Sequence, residues 1–278
     1  MTPDEPREDV VKALEAAQHL LAQASEQLRR ERRDPTVGFW DTLLRGGYAD
    51  ATSLREAAQT HGVRLAAEYL CLRLHAETSV RARARHAFSS HTHDAVEDDH
   101  ALLLLFAIER TSDLTSIRRI ANTLLRGVNR DEALLDGGIG TLETPLMLHR
   151  SARNAMIALV IGRRIHGQGK ITAYADLGAY PLLYDGADPQ SLRAFATGML
   201  APIRAYDEKH QTELERTLRV YIDSGQNVKT TSEQLFVHRH TVFYRLRQLN
   251  EIAAMRFEDP QAQLAIRLAL AIEMIHHD

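Results

Sequence analysis

Apolar or small residues recur near the start of the chain as Val10, Leu14, Ala17, Leu21, Ala24 and Leu28, a 4-3-4-3-4 spacing just under three heptads long. Two uses of this seam stay open: an amphipathic helix packed on its own domain, or a short dimerising coil. The basic run "RRERRDP" ends it, with Pro35 as the stop. Thr36 to Gly62 reads as short helical pieces, "FWDTLLRGG" closing on paired glycines and "SLREAAQTHG" on a helix C-cap at Gly62. The period then changes. "LAAEYLCLRLHAE" (Leu65–Glu77) reads as a strand, "SVRARARHAF" as a basic helix, and "ALLLLFAI" (Ala101–Ile108) as a central strand apolar on both faces. "DLTSIRRIANTLLRGV" is an amphipathic helix with Ile117, Ala121, Leu124 and Val128 on one side. "EALLDGGIG" is a strand running into glycines, "RSARNAMIALVIGRRIH" a further helix, and "KITAYADLG" a closing strand. The alternation predicts one sheet with helices against it. Ser191 to Leu200 is helical again, and from Asp207 to Asp278 only helical patterns remain, which places a domain boundary near Ile203–Asp207.

Composition narrows the class. With 44% hydrophobic and 26% charged residues in 278, the chain reads as a globular protein with room for one large domain or two modest ones. A net charge of −3 argues against a generic polyanion binder, so any nucleic-acid contact has to come from a local patch. The single cysteine, Cys71, leaves no disulfide framework and fits a reducing cytoplasm. The acidic start "MTPDEPREDV" does not read as a secretion signal, and no apolar run approaches the ~20 residues of a membrane span.

Such a patch exists. No acidic residue occurs between Glu233 and Glu251, where "HRHTVFYRLRQLN" carries arginines, histidines and aromatics. Before it, Asn227 suits an N-cap, Ser232 is the small residue a helix-turn-helix needs, and Leu235, Val237 and Val242 occupy the apolar offsets around the turn. Leu214, Leu218 and Tyr221 supply a preceding helix that stops at Gly225, and Phe236 stands where glycine is common in such turns. On a wheel of ~100° per residue, Val242, Leu246 and Leu249 form a core seam, while His240, Phe243, Tyr244 and Arg247 lie opposite, flanked by Arg239 and Arg245. Guanidinium forks and aromatic groups are what a major groove accepts. A solvated face on a structural helix would mix both charge signs and would rarely expose Phe beside Tyr, so DNA contact is the favoured use.

The segment "TLRVYIDSGQNVKTTSEQLFVHRHTVFYRLRQLNEI" resembles the C-terminal domain of the PucR/CdaR family of bacterial transcriptional regulators. Thr217, Leu218, Tyr221, Asn227, the run Leu235 to Arg239, Thr241, Val242, Tyr244, Arg245 and Leu246 match its pattern. His240 replaces the usual asparagine and Phe243 the usual arginine, both on the outward face. "YADLGAYPLL" and "APIRAYD" resemble the family's linker, and "FEDPQAQLAIRLALAIEM" its terminal helix. The resemblance also implies a middle domain related to diguanylate cyclases, with "GGIGT" (Gly137–Thr141) and the helix after it in the late part of that fold. Where a cyclase carries its Gly-Gly-Asp/Glu-Glu-Phe hairpin, this chain reads "VEDDHALLLLF": Glu97, Asp98 and Asp99 are present, the paired glycines are not. A degenerate, non-catalytic domain follows from that comparison.

The expected fold class is therefore α+β. Residues 1–36 form an N-terminal helix and potential short coiled coil, 37–206 a degenerate GGDEF-like regulatory domain, and 207–278 an all-α helix-turn-helix domain. The DNA-contacting residues are Arg239, His240, Thr241, Phe243, Tyr244, Arg245 and Arg247, with Arg239 and Arg245 assigned to phosphates or to bracing the fold. The expected function is a cytoplasmic, sequence-specific transcriptional regulator binding operator DNA as a homodimer. The heptad seam, the middle domain and the terminal-helix face of Leu264, Leu268, Ile272 and Ile275 are its candidate dimer surfaces. RNA polymerase and an unidentified small-molecule effector stay as further partners, and the separate sensor domain of many relatives is not found in this sequence. No catalytic residue, cofactor or metal is expected. Gly137, Gly138 and Gly140 fit neither phosphate-loop pattern and read as a strand-ending turn. His86, His91, His93, His100 and Asp94 could ligate zinc, but are read as a solvated loop between helix and strand. The rival readings are a diverged nucleotide-binding or cyclase-like enzyme and a dimeric scaffold that touches no DNA.

Overall fold

The computed structural model describes residues 35–92, 94–97, 101–130, 134–186, 188–252 and 259–276. The heptad seam from Val10 to Leu28 lies outside them. The chain is mixed α+β: a five-stranded sheet clothed by helices, followed by a helical C-terminal region.

Two helices, α1 (Pro35–Leu44) and α2 (Ala51–Thr60), precede the sheet. Asp50 caps α2, its carboxylate accepting the N–H groups of Thr52 and Ser53 while Ser53 reaches back to the Asp50 N–H. The sheet is then built as β1 (Glu68–Ala76), α3 (Thr78–Phe88), β2 (Asp94–Glu97), β3 (Ala101–Ile108), α4 (Thr111–Arg130) and β4 (Leu135–Ile139). This β-α-β-β-α-β series makes the antiparallel order β2-β3-β1-β4. Helix α5 (Leu148–His166) then crosses over to β5 (Ile171–Ala173), which joins β4 in parallel.

The period of two along the strands explains the layers. Leu70, Leu72 and Leu74 pair with Phe106, Leu104 and Leu102 and face Val80, Ala84 and Phe88 of α3 and Ile117, Ala121, Leu124 and Val128 of α4. The alternate residues Tyr69, Cys71, Leu103 and Leu105 face Phe39, Trp40 and Leu43 of α1, Leu54 and Ala58 of α2, and Leu148 and Ala155 of α5. Both faces are buried, as the uninterrupted "ALLLLF" run requires. Cys71 lies wholly inside, where burial pushes its thiol up to about 12, so it is a core residue and not a nucleophile.

Three local expectations change. The segment read as a solvated loop contains strand β2, Asp94–Glu97, paired with Leu102–Leu105; four residues are too few to show a period against their polar flanks. His93 and residues 98–100 lie outside the described residues. The glycines read as a strand-ending turn instead sit within β4 or directly after it. A Cβ at Gly138 would lie 1.9 Å from the Ala155 carbonyl oxygen, and one at Gly140 2.1 Å from that of Ser151, so these glycines let the α5 backbone lie directly on the sheet. The closing strand is shorter than "KITAYADLG", since a 3-10 turn takes over at Tyr174–Leu177.

After a short helix α6 (Tyr180–Asp185) comes α7 (Pro189–His210), then α8 (Leu214–Asp223), α9 (Val228–Leu235), α10 (Arg239–Ile252) and α11 (Pro260–His276). The boundary expected at 206/207 falls inside α7. That helix runs on through Pro202 and packs Ala196, Leu200 and Ile203 against Leu214, Leu218 and Ile222 of α8, Val242, Leu246 and Leu249 of α10, and Ile266, Ala269 and Ile272 of α11. The terminal-helix face expected to be a dimer surface is thus divided. Ile272 and Ile275 are buried in the chain's own fold, Leu268 packs partly against the core, and Leu264 is exposed.

Candidate nucleic-acid interface

The helix-turn-helix is assembled from its caps. Helix α8 ends at two successive left-handed residues, Gly225 and Gln226. The side-chain oxygen of Asn227 then accepts the N–H groups of Lys229 and Thr230 and starts α9. Ser232 is buried, and its hydroxyl donates back to the Lys229 carbonyl at 2.7 Å, so nothing larger separates the two helices. Phe236 takes the left-handed turn conformation at φ 56°, which costs an L-residue about 1–2 kcal/mol and explains why glycine is common there. Its ring is 93% exposed.

His238 opens α10. Its carbonyl accepts the Thr241 N–H, and its Nδ1 stands 3.3 Å from the His240 N–H, where it acts as the acceptor of a capping bond. The two imidazoles stack at 5.1 Å between centroids. From there the helix divides as its wheel requires: Val242, Leu246 and Leu249 are buried, while Arg239, His240, Phe243, Tyr244 and Arg247 are exposed and Thr241 is half-buried. Arg247 pairs with Glu251 one turn on at 3.4 Å, both side chains largely in water, a contact worth about 0.5 kcal/mol or less and easily exchanged for a phosphate.

Arg245 departs from the outward group. Its Nη1 donates to Thr217 Oγ1 at 3.0 Å, its Nη2 lies 3.4 Å from Glu213, and the side chain is only 19% exposed. Of the two flanking arginines it is therefore the brace, and Arg239 faces solvent. Helical spacing placed Arg245 on a flank; which way a flank arginine turns depends on the neighbouring helix, which a wheel does not contain.

A charged tripod that the sequence did not disclose ties α7, α8 and α11 together. Arg204 of α7 donates to Glu215 of α8 at 2.8 Å and meets Glu273 of α11 at 2.6 Å, and Arg219 bonds the same two carboxylates. The Arg204 hydrogen bond, with help from Arg219, outweighs burial and holds the Glu215 carboxyl down at about 2. The Asp207 carboxylate adds a cap, accepting the Leu214 and Glu215 N–H groups at 2.8 and 2.9 Å. The residues of the tripod are 54 to 69 apart in sequence across the α7–α11 and α8–α11 joins, too far for a local pattern to pair them.

Elsewhere, Glu97 is engaged by Arg85 at 2.6 Å and Arg81 at 3.5 Å. Among the described residues no cluster of three or more His, Cys, Asp and Glu side chains is placed to hold a metal ion. No helix among them is long and apolar enough to cross a membrane.

Taken together, α8 to α10 form a helix-turn-helix braced by α7 and α11. Residues 214–272 match the PucR C-terminal helix-turn-helix domain. It is 31% identical over 99 residues to the proline-responsive transcriptional activator PutR of Bacillus subtilis, which covers 36% of this chain and 24% of PutR. It is 22% identical over 182 residues to the DNA-binding transcriptional activator AdeR of the same organism, covering 64% of this chain and 43% of AdeR. It is 30% identical over 86 residues to the B. subtilis purine catabolism regulatory protein, covering 31% of this chain and 16% of that relative. The matches thus span less than half the length of these relatives.

Proposed function

We propose that the chain is a sequence-specific, DNA-binding transcriptional regulator that lays α10 in the major groove of an operator. One observation carries this reading. Helix α10 is held from behind by Val242, Leu246, Leu249 and the Arg245 brace, and its other side offers Arg239, His240, Phe243, Tyr244 and Arg247 with no carboxylate before Glu251. A rigid support with a cationic, partly aromatic outer face suits phosphates and base edges together. The names of the relatives, a proline-responsive activator and a DNA-binding activator among them, agree with it.

One such unit covers too little duplex for tight specific binding, so the working form is a homodimer on two half-sites. With the terminal helix largely used internally, the middle domain and the N-terminal heptad seam are the dimer surfaces in this proposal. The middle domain, which we divide from the helix-turn-helix region near the start of α7, is a non-catalytic relative of the cyclase fold. In its support, Glu97, at the place where a cyclase needs metal-binding carboxylates, is engaged by two arginines. The regulator works in the bacterial cytoplasm.

The test is selection of duplexes from a random-sequence library by the purified full chain. Enrichment of an inverted repeat with half-sites a multiple of one helical turn apart supports the reading; binding without enrichment of any sequence overturns it.

A further inference from the structure

We infer that Phe243 is the specificity-determining side chain of α10, and that it reads thymine by setting its ring against the 5-methyl group in the major groove. The inference rests on the DNA-binding reading above and adds the chemistry of the base.

His240, Phe243 and Arg247 are spaced three and four residues apart, so they form one row along the outer surface of α10, with Phe243 in its middle. The buried seam of Val242, Leu246 and Leu249 fixes the helix behind that row. Phe243 is 57% exposed, and no ring contact to it is found among the described residues. No carboxylate lies on the helix before Glu251, so the row can approach a polyanion without repulsion.

A phenyl ring in the middle of a polar row has no hydrogen bond to offer. Among the four bases only thymine presents an apolar group, its 5-methyl, in the major groove; the others present donors and acceptors. Over guanine, cytosine or adenine the ring would cover polar edges and leave them unpaired, whereas over thymine it removes two apolar surfaces from water. Tyr244, four residues after His240 and three before Arg247, flanks the same row on its other side but carries a hydroxyl that can bond the polar base edges. Phe236 lies in the turn before the helix. His240 and Arg247, on either side, retain the capacity for polar contacts.

The experiment starts from the duplex enriched by the full chain. Each thymine of a half-site is replaced in turn by deoxyuridine, which removes only the methyl group, and affinities are measured for the natural chain and for Phe243→Ala. Burial of one methyl predicts a loss of about fourfold at one thymine per half-site for the natural chain, and no loss at that position for Phe243→Ala. A uracil scan without effect, or an effect that persists in Phe243→Ala, overturns the inference while leaving DNA binding intact. A library that yields no enriched duplex overturns the DNA-binding reading itself, and this inference with it.

Discussion

Arg245 turns away from the outer face of α10 and donates to Thr217 Oγ1 at 3.0 Å, tying α10 to α8. Thr217 is itself buried, and its hydroxyl donates to the Glu213 carbonyl, so the bond joins two ordered elements. A hydrogen bond from a charged group contributes about 1.5–3 kcal/mol. Arg245→Ala should therefore lower stability by about 2 kcal/mol in urea unfolding. Arg239→Ala, with its guanidinium in water, should leave the unfolding midpoint within experimental error and weaken DNA binding instead. Equal midpoints for the two variants would contradict this division of labour.

The tripod of Arg204, Arg219, Glu215 and Glu273 makes a prediction about acid. Glu215 titrates at about 2 in the fold against an ordinary 4.5. A carboxyl depressed in this way gives its full contribution above the unfolded value and loses it as the pH falls towards the folded one. The Glu215 contribution to the unfolding midpoint should be complete above pH 4.5 and decline between 4.5 and about 2. Glu215→Gln should be less stable at neutral pH, with its curve approaching that of the natural chain at the acid end. Two parallel curves across that range would show that Glu215 contributes nothing through its charge.

Gly138 carries the packing of α5 on the sheet. A Cβ there would lie 1.9 Å from the Ala155 carbonyl oxygen and 2.5 Å from the Leu159 nitrogen, both backbone atoms that cannot rotate aside. Gly138→Ala should cost about 3 kcal/mol or more, at or beyond the usual range for overpacking. Gly198→Ala is the control, an added methyl with nothing within 4 Å of its Cβ and no left-handed backbone. Thermal unfolding by circular dichroism reads both, and a Gly138→Ala midpoint equal to that of the natural chain would contradict the close approach.

The elements visible in advance were those with long periods. The strands at Glu68–Ala76 and Ala101–Ile108 and the helices at Thr111–Arg130 and Leu148–His166 each run far enough for their pattern to show. Strand β2 did not, being four residues long, and Gly138 gave a misleading signal because a glycine inside a strand and a glycine after one look alike in sequence. Helix α7 continues past Leu200 and through Pro202, with Leu200 and Ile203 on either side held in the C-terminal core. On α10 the split between Val242, Leu246, Leu249 and the outer residues was legible from the 3.6-residue period alone. The direction of Arg245 and the tripod were not, since both depend on contacts between helices far apart in the chain.

The most direct test of the whole account is the salt dependence of binding by the full chain to its enriched duplex. If Arg239 meets a phosphate, log affinity falls linearly with log salt, each phosphate contact adding about 0.9 to the slope. Arg239→Ala should then reduce the slope by about one contact. A slope near zero for the natural chain would mean that no phosphate is neutralised, and would contradict the assignment of α10 as a DNA-reading helix.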